Sequence, residues 1–296
     1  MAKKFLGIDI GGSYIKFVDS EGKKFKEKNP YDYEKIVELI DRFSQDYDSV
    51  GIAVAGFVNF DGFIYESPNI KSLNEKKIEV RGKPYFVAND ATLACVGEVF
   101  FGAGRKWKKK GIVLCLTLGT GLGGGAVIDG KPLFGTLGIA MEVGHIQISD
   151  DTKRVCVCGR VGCSEEFVSS RAIERFFFEI TSEKTTSDKI IEFANKGNAN
   201  ALEALKKFSF YVARVIQNLA HIFNPDAVII SGGIISHFEG VIDMIKDEAR
   251  KIVIKPIFDS MELLPAELGE FSGAFGGLKM AQIIYRKTSQ KNYIVR

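Results

Sequence analysis

The sequence predicts a two-lobed α/β protein, and three observations carry that expectation. Its 296 residues exceed what one compact core usually holds. Short apolar, strand-like runs alternate with stretches of helical periodicity. The order strand, glycine turn, strand occurs twice, opening at Phe5 and again at Gly111. The lobes expected are 1–106 and 107–275, the second carrying the cysteine-rich loop, with a final helix at 276–289 packing back on the first. Two lobes with a cleft between them suit a ligand that must be enclosed.

The elements follow in order. Phe5–Ile10 reads as a buried strand, Gly11-Gly12-Ser13 as a turn and Tyr14–Asp19 as the returning strand. Glu21-Gly22-Lys23 turns into a third, polar strand. Tyr33–Phe43 is helical, because Ile36, Val37, Leu39, Ile40 and Phe43 share one face. Ser49–Ala55 and Tyr85–Ala88 are strands, and a helix runs from about Asp90 to Phe101. Beyond the Lys-rich turn, Gly111–Leu118 is a strand, Gly119–Gly125 a glycine loop and Ala126–Ile128 a strand. A long helix carries Leu202, Leu205, Phe208, Val212, Val215, Leu219 and Phe223 at steps of three or four, and Asn224-Pro225 stops it. Ala227–Ser231 is a short apolar strand that runs into Gly232-Gly233, and further helices follow.

Composition excludes several classes. The chain has 40 basic and 37 acidic residues, a balance too even to argue for nucleic acid or an acidic membrane surface. The basic run from Arg105 to Lys110 is short and reads as a solvated turn. Asp9 interrupts the first apolar run too early for a secretory core. Gly111–Ile128 is free of charge but holds six glycines, which favours strand and loop over a membrane span. Five cysteines, an odd number, without a secretory signal fit a reducing compartment. A cytoplasmic protein is expected, with no nucleic-acid or membrane partner.

Glycines after strand ends let a backbone approach an anion, and the exposed amides donate to phosphate oxygens. Gly11, Gly12 and Ser13 make one such turn, with Lys16 as a further donor and Asp9 placed to hold Mg2+. Gly119–Gly125 offers a second cradle, with the Thr120 hydroxyl beside Gly121. Gly232-Gly233, at a strand end before a helix, is a third, and a fourth lies at 272–277 before the last helix. Neither Walker spacing nor a Gly-x-Gly-x-x-Gly before a helix is present. The 120–125 turn leads into a strand, which argues against a dinucleotide site.

The strongest local signal is Cys156-Val-Cys158-Gly-Arg-Val-Gly-Cys163. Three thiols in eight residues wrap one ion, and thiolates at that spacing suit tetrahedral Zn2+. His145, eleven residues earlier, supplies a fourth ligand. Four protein ligands leave no open position, so the zinc is expected to be structural. It would tie the loop of Glu165 to the strand of His145, one ring nitrogen of which can bind the zinc while the other faces a substrate hydroxyl.

Phosphoryl transfer to a hydroxyl needs a base within reach of the acceptor oxygen. Asp90 stands where a strand meets a helix, where a helix cap is the plainer reading. Several motifs come in order: Asp-Ile-Gly-Gly-Ser at 9–13, Asn-Asp-Ala at 89–91 and Leu-Gly-Thr-Gly-Leu-Gly-Gly-Gly at 118–125. Glu-Val-Gly-His at 142–145 and Cys-x-Cys-Gly-x-x-Gly-Cys-x-Glu at 156–165 follow. Together they resemble the ROK family (repressors, open reading frames, kinases) over essentially the whole chain. The resemblance implies the two-lobed actin-like/ribonuclease H-like ATPase fold. It implies an ATP-dependent hexose kinase with Mg2+ and a structural Zn2+, as a homodimer or homotetramer. Asp90 matches the catalytic base, and Asn69, Asn89, Glu142, His145 and Glu165 match sugar-binding residues. His145, Cys156, Cys158 and Cys163 match the zinc ligands. Gly11, Gly12, Ser13, Thr120 and Gly121 match phosphate turns, and Gly232 and Gly233 the adenosine-side turn.

The chain departs from the family pattern at Ser13, where threonine is usual, at Ala55, where proline is, and at Ser164, where leucine is common. An aromatic residue often found after the Pro-Asn pair is missing after Asn69, with Leu73 nearby. These leave the kinase chemistry intact and bear on which sugar binds. Glucose is the expected acceptor, with N-acetylmannosamine, N-acetylglucosamine, fructose and allose as alternatives. A sugar-responsive transcriptional regulator is the competing class.

Overall fold

The computed structural model describes residues 2–238 and 240–289. Its first elements are β1 (Phe5–Ile10), β2 (Tyr14–Asp19), β3 (Lys24–Lys28), α1 (Tyr33–Ser44) and β4 (Ser49–Val54). There follow β5 (Phe57–Val58), β6 (Phe63–Glu66), β7 (Lys76–Lys77), β8 (Tyr85–Asn89) and α2 (Asp90–Phe101). Then come β9 (Ile112–Leu118), β10 (Leu122–Ile128), β11 (Lys131–Pro132), α3 (Ser170–Thr181), α4 (Ser187–Asn195) and α5 (Ala199–Phe223). The chain ends with β12 (Ala227–Ser231), α6 (Gly233–His237), α7 (Gly240–Ile252), α8 (Lys255–Ser260), β13 (Glu262–Pro265) and α9 (Ser272–Ser289).

Two compact units divide the chain. The first runs to Lys108, takes up Gly125–Met141 and resumes from Glu270; the second holds Lys109–Gly124 and Glu142–Gly269. Residues 125–141 and 270–275, expected with the second lobe, thus belong to the first unit. Packing is the reason. Val127 of β10 pairs with Pro132 of β11. The Phe134 ring beyond this hairpin lies 5.8 Å from Phe60 and 5.5 Å from Phe86. Ser272 donates to the buried Glu98 of α2 at 2.8 Å, which fixes the start of α9.

In the first unit the strands run β3-β2-β1-β4-β8. β1 is antiparallel to β2 and parallel to β4, which is parallel to β8. Leu6, Ile8, Ile10, Ile15, Phe17, Val50, Ile52 and Val54 are fully buried. Asp32 caps α1 by accepting from Lys35 N at 3.0 Å, and Ile36 and Ile40 bury its apolar face. α9 lies directly on β1 and β4. The approach is so close that a Cβ on Gly51 would run into the Gly277 carbonyl. The glycine loop ends earlier than the sequence predicts: Gly123–Gly125 are strand residues, because β10 starts at Leu122. Gly125 packs against Cys95 and Ala91 of α2, with no room for a side chain. The small sheet β5-β6-β7 was silent in the sequence, its strands being too short to set a period.

In the second unit β9, β12 and β13 are parallel, with Ile229 opposite both Cys115 and Leu264. α5 is capped by Asn198, which accepts from Ala201 N at 3.0 Å, and ends where Asn224 turns left-handed (φ 43°) before Pro225. α3 and α7 pack against it. The segment 146–163 is an irregular hairpin held by Ile148 N to Gly162 O (2.9 Å), Gly162 N to Arg154 O (3.0 Å) and Cys156 N to Arg160 O (2.8 Å).

Candidate active site and metal centre

In the first unit, the β1–β2 register sets Asp9 directly opposite Lys16. Their side chains pair, Nζ to Oδ2, at 3.2 Å, and both are mostly buried. Burial pushes the Asp9 carboxyl up, and Lys16 opposes that shift. The turn between them closes through Gly11 N donating to Tyr14 O at 3.1 Å. Gly11 and Gly12 are half-buried, whereas Ser13 is exposed at the tip. Asn69 comes beside this turn: a Cβ on Gly12 would stand 3.7 Å from the Asn69 Cβ.

The cap of α2 is Asn89, not Asp90. Asn89 Oδ1 accepts from Thr92 N at 3.0 Å, while its amide donates to Gly56 O and to Asp90 Oδ1, both at 3.1 Å. Asp90 Oδ1 also accepts from Ala91 N at 2.8 Å. These bonds hold the carboxyl in one orientation through a single oxygen. Part of Asp90 stays open to solvent, yet protein crowds the carboxyl. Burial, then the negative charge of Asp9, pushes it up to about 6 from an ordinary 3.8, against the hydrogen bond from Ala91 and the Lys16 charge.

In the second unit, the turn after β9 closes through Gly119 N to Gly121 O at 3.0 Å, with Thr120 exposed at its tip. Glu165 lies against it. Its Oε2 accepts from Leu122 N at 3.1 Å, and its Oε1 pairs with Arg171 at 3.3 Å. Gly144 also stands beside this carboxylate. Glu142 begins the short turn to His145, its carbonyl accepting from His145 N at 3.1 Å. Gly232 packs against the Leu118 carbonyl at the end of β9, so the second and third glycine turns are neighbours, and Gly233 starts α6.

His145, Cys156, Cys158 and Cys163 converge, their donor atoms all within 4.8 Å of one another. His145 Nδ1 is 3.7 Å from Cys156 Sγ, and Cys158 Sγ is 3.6 Å from Cys163 Sγ. A tetrahedral zinc with Zn–S of about 2.3 Å sets sulfur atoms about 3.8 Å apart, so the four residues fit that ion. Burial first, then the neighbouring sulfurs, push the Cys163 thiol up to about 12, so a thiolate there calls for a cation beside it. Asp9, a hard oxygen donor, fits Mg2+ held jointly with water and phosphate.

Three supporting residues escaped the sequence reading. Asn29, 2% exposed, donates through its amide to Gly11 O at 2.7 Å and through its main chain to Ser13 O at 3.0 Å, bracing the first turn. Its one sequence signal is the Asn-Pro pair at 29–30, which marks a turn without saying what it braces. Arg171 and Arg154 hold the Glu165 region from distances in sequence that no local period encodes.

Comparison with known proteins gives the family. The ROK family profile matches residues 5–283. The glucokinase of Streptomyces coelicolor is 32% identical, covering 94% of this chain and 97% of its own length. A crystal structure of a ROK family glucokinase from Streptomyces griseus, in complex with glucose and AMPPNP, is 31% identical. It superimposes with a TM-score of 0.80 over 95% of this chain and 99% of that one. The xylose repressor of Bacillus subtilis is 29% identical over 92% of this chain and 75% of its own. The α/β fold is the actin-like ATPase fold of these sugar kinases. With the profile spanning nearly every described residue, the chain belongs to the ROK family.

Proposed function

We propose that the chain transfers the terminal phosphate of ATP to a hexose, with glucose as acceptor and glucose 6-phosphate as product, and with Asp90 as general base. One observation carries the base assignment. The Asp90 carboxyl is fixed at the start of α2 and raised to about 6, so it is ionised at neutral pH yet basic enough to accept a hydroxyl proton. The sugar O–H gives its proton to Asp90, its oxygen bonds to the terminal phosphorus, and the bond from that phosphorus to ADP breaks.

The other residues bind and orient. Asn69, Asn89, Glu142, His145 and Glu165 take the sugar hydroxyls. Gly11, Gly12, Ser13, Lys16, Thr120 and Gly121 cradle phosphates with amides, hydroxyls and an ammonium, and Gly232 and Gly233 serve the adenosine side. Asp9 holds Mg2+, which neutralises phosphate charge when bound. His145, Cys156, Cys158 and Cys163 hold a structural Zn2+. No helix among the described residues is long and apolar enough to cross a membrane. A cytoplasmic homodimer or homotetramer completes the proposal.

A coupled assay with ATP over glucose, fructose, allose, N-acetylglucosamine and N-acetylmannosamine tests it. The highest kcat/KM is expected with glucose; a higher value for another sugar reassigns the substrate. The likeness to a xylose repressor motivates one second reading, a sugar-responsive regulator. Sequence-specific DNA binding without turnover of any of these sugars would favour it.

A further inference from the structure

Arg154 is a buried cation outside the chemistry above. Its side chain is 8% exposed. Nε donates to Asp151 Oδ2 at 3.3 Å, Nη2 to Glu179 Oε1 at 2.6 Å, and Nη1 points at Glu166 O at 3.5 Å. The guanidinium also lies over two rings, 4.9 Å from the centre of Phe167 and 5.1 Å from that of Phe176. Its carbonyl accepts from Gly162 N at 3.0 Å.

These partners belong to three segments. Asp151 and Gly162 are in the cysteine hairpin, Glu166 closes the turn that carries Glu165 and Phe167 follows it, and Phe176 and Glu179 are on α3. One guanidinium therefore spans all three. An apolar side chain between two phenylalanines would fill the space at least as favourably, so stability alone does not call for arginine here. What arginine adds is a rigid planar fork that fixes direction as well as distance.

We propose that Arg154 is a positioning residue for sugar binding. It clamps the hairpin of Cys156, Cys158 and Cys163 to the Glu165 turn and to α3, so that the four-donor cluster and the Glu165 carboxylate keep one mutual placement. The sugar half of this proposal rests on reading Glu165 as a sugar ligand. Removing Arg154 strands no buried anion, because the Asp151 and Glu179 side chains are 40% and 42% exposed.

The test uses the full chain loaded with zinc, as wild type, Arg154→Met and Arg154→Lys. Four quantities are measured: the KM for glucose, the KM for ATP, kcat, and the rate of zinc transfer to a colorimetric chelator. Thermal melting is followed in parallel. For Arg154→Met the glucose KM and the zinc transfer rate both rise, on the order of 10- to 100-fold, the range for residues that orient metal ligands. The ATP KM and kcat stay within about threefold, since uniform loss of sugar binding leaves kcat in place. Arg154→Lys falls between, keeping the charge without the fork. A lowered melting temperature with glucose KM and zinc transfer unchanged would reduce Arg154 to packing and overturn the proposal. If Arg154→Met does not fold, the same unchanged values in Arg154→Lys overturn it. If the wild type phosphorylates no hexose, the sugar half falls with the kinase reading, and zinc transfer alone decides the clamp.

Discussion

Asp90 shows how neighbours set the proton affinity of one carboxyl. The first turn of a helix normally favours an ionised carboxylate, but burial and the nearby Asp9 charge outweigh that and raise the group to about 6. Two outcomes follow for Asp90→Asn, which keeps the oxygen that accepts from Asn89 and Ala91. Turnover falls by roughly 10²- to 10⁴-fold, the usual weight of a general base, as read in the coupled assay. Stability moves the other way. The folded chain holds the Asp90 proton more tightly than the unfolded chain, so ionisation favours unfolding. The wild type is therefore penalised increasingly as pH rises from the ordinary 3.8 to about 6, and by a constant amount above that. Denaturant titrations at pH 7 should find Asp90→Asn the more stable protein, and near pH 3.5 the gap should close. The wild-type rate gives a third expectation. As pH drops below about 6, kcat/KM falls toward tenfold per unit, and an acid limb centred near 4 would remove Asp90 as the base.

Among the elements, the join of α9 to β1 and β4 is the most exacting. A helix rests on this sheet only where the strand offers no side chain, as at Gly51 beneath Gly277. Gly51→Ala should cost about 1–3 kcal/mol, the usual penalty for overpacking a tight interior, measured as a lower denaturation midpoint. Nothing in the strand's own pattern announces this: Ser49–Val54 reads as a buried strand whether or not residue 51 is glycine. The cysteine hairpin is the opposite case. Its four donors were legible from spacing because a metal needs certain atoms at short range and few sequences put them there by chance. The cap of α2 was half legible. The Asn-Asp-Ala segment marked the helix start, but which of two adjacent acceptors reaches Thr92 N depends on the backbone direction leaving β8.

At the scale of the whole molecule, the chain passes between its two units at 108–109, 124–125, 141–142 and 269–270. A ligand that binds only the folded chain stabilises it by RT ln(1 + [L]/Kd), about 2.7 kcal/mol at one hundred times Kd. Glucose at that excess should raise the melting temperature, and xylose, which lacks the 6-hydroxymethyl group, should raise it less; equal shifts would count against a hexose site. The sequence alone determined the α/β class, the family motifs, the first three glycine turns and the four soft donors, since each depends on residue types at short separation; the fourth turn expected at 272–277 is instead the start of α9. Tertiary structure alone decided that residues 125–141 return to the first unit, that Asn29 braces the first turn and that Arg154 joins three segments. Those depend on which surfaces meet after folding. Asn29 lies 18 residues from Gly11, and Arg154 lies 25 from Glu179; across such spans a sequence names the partners without pairing them.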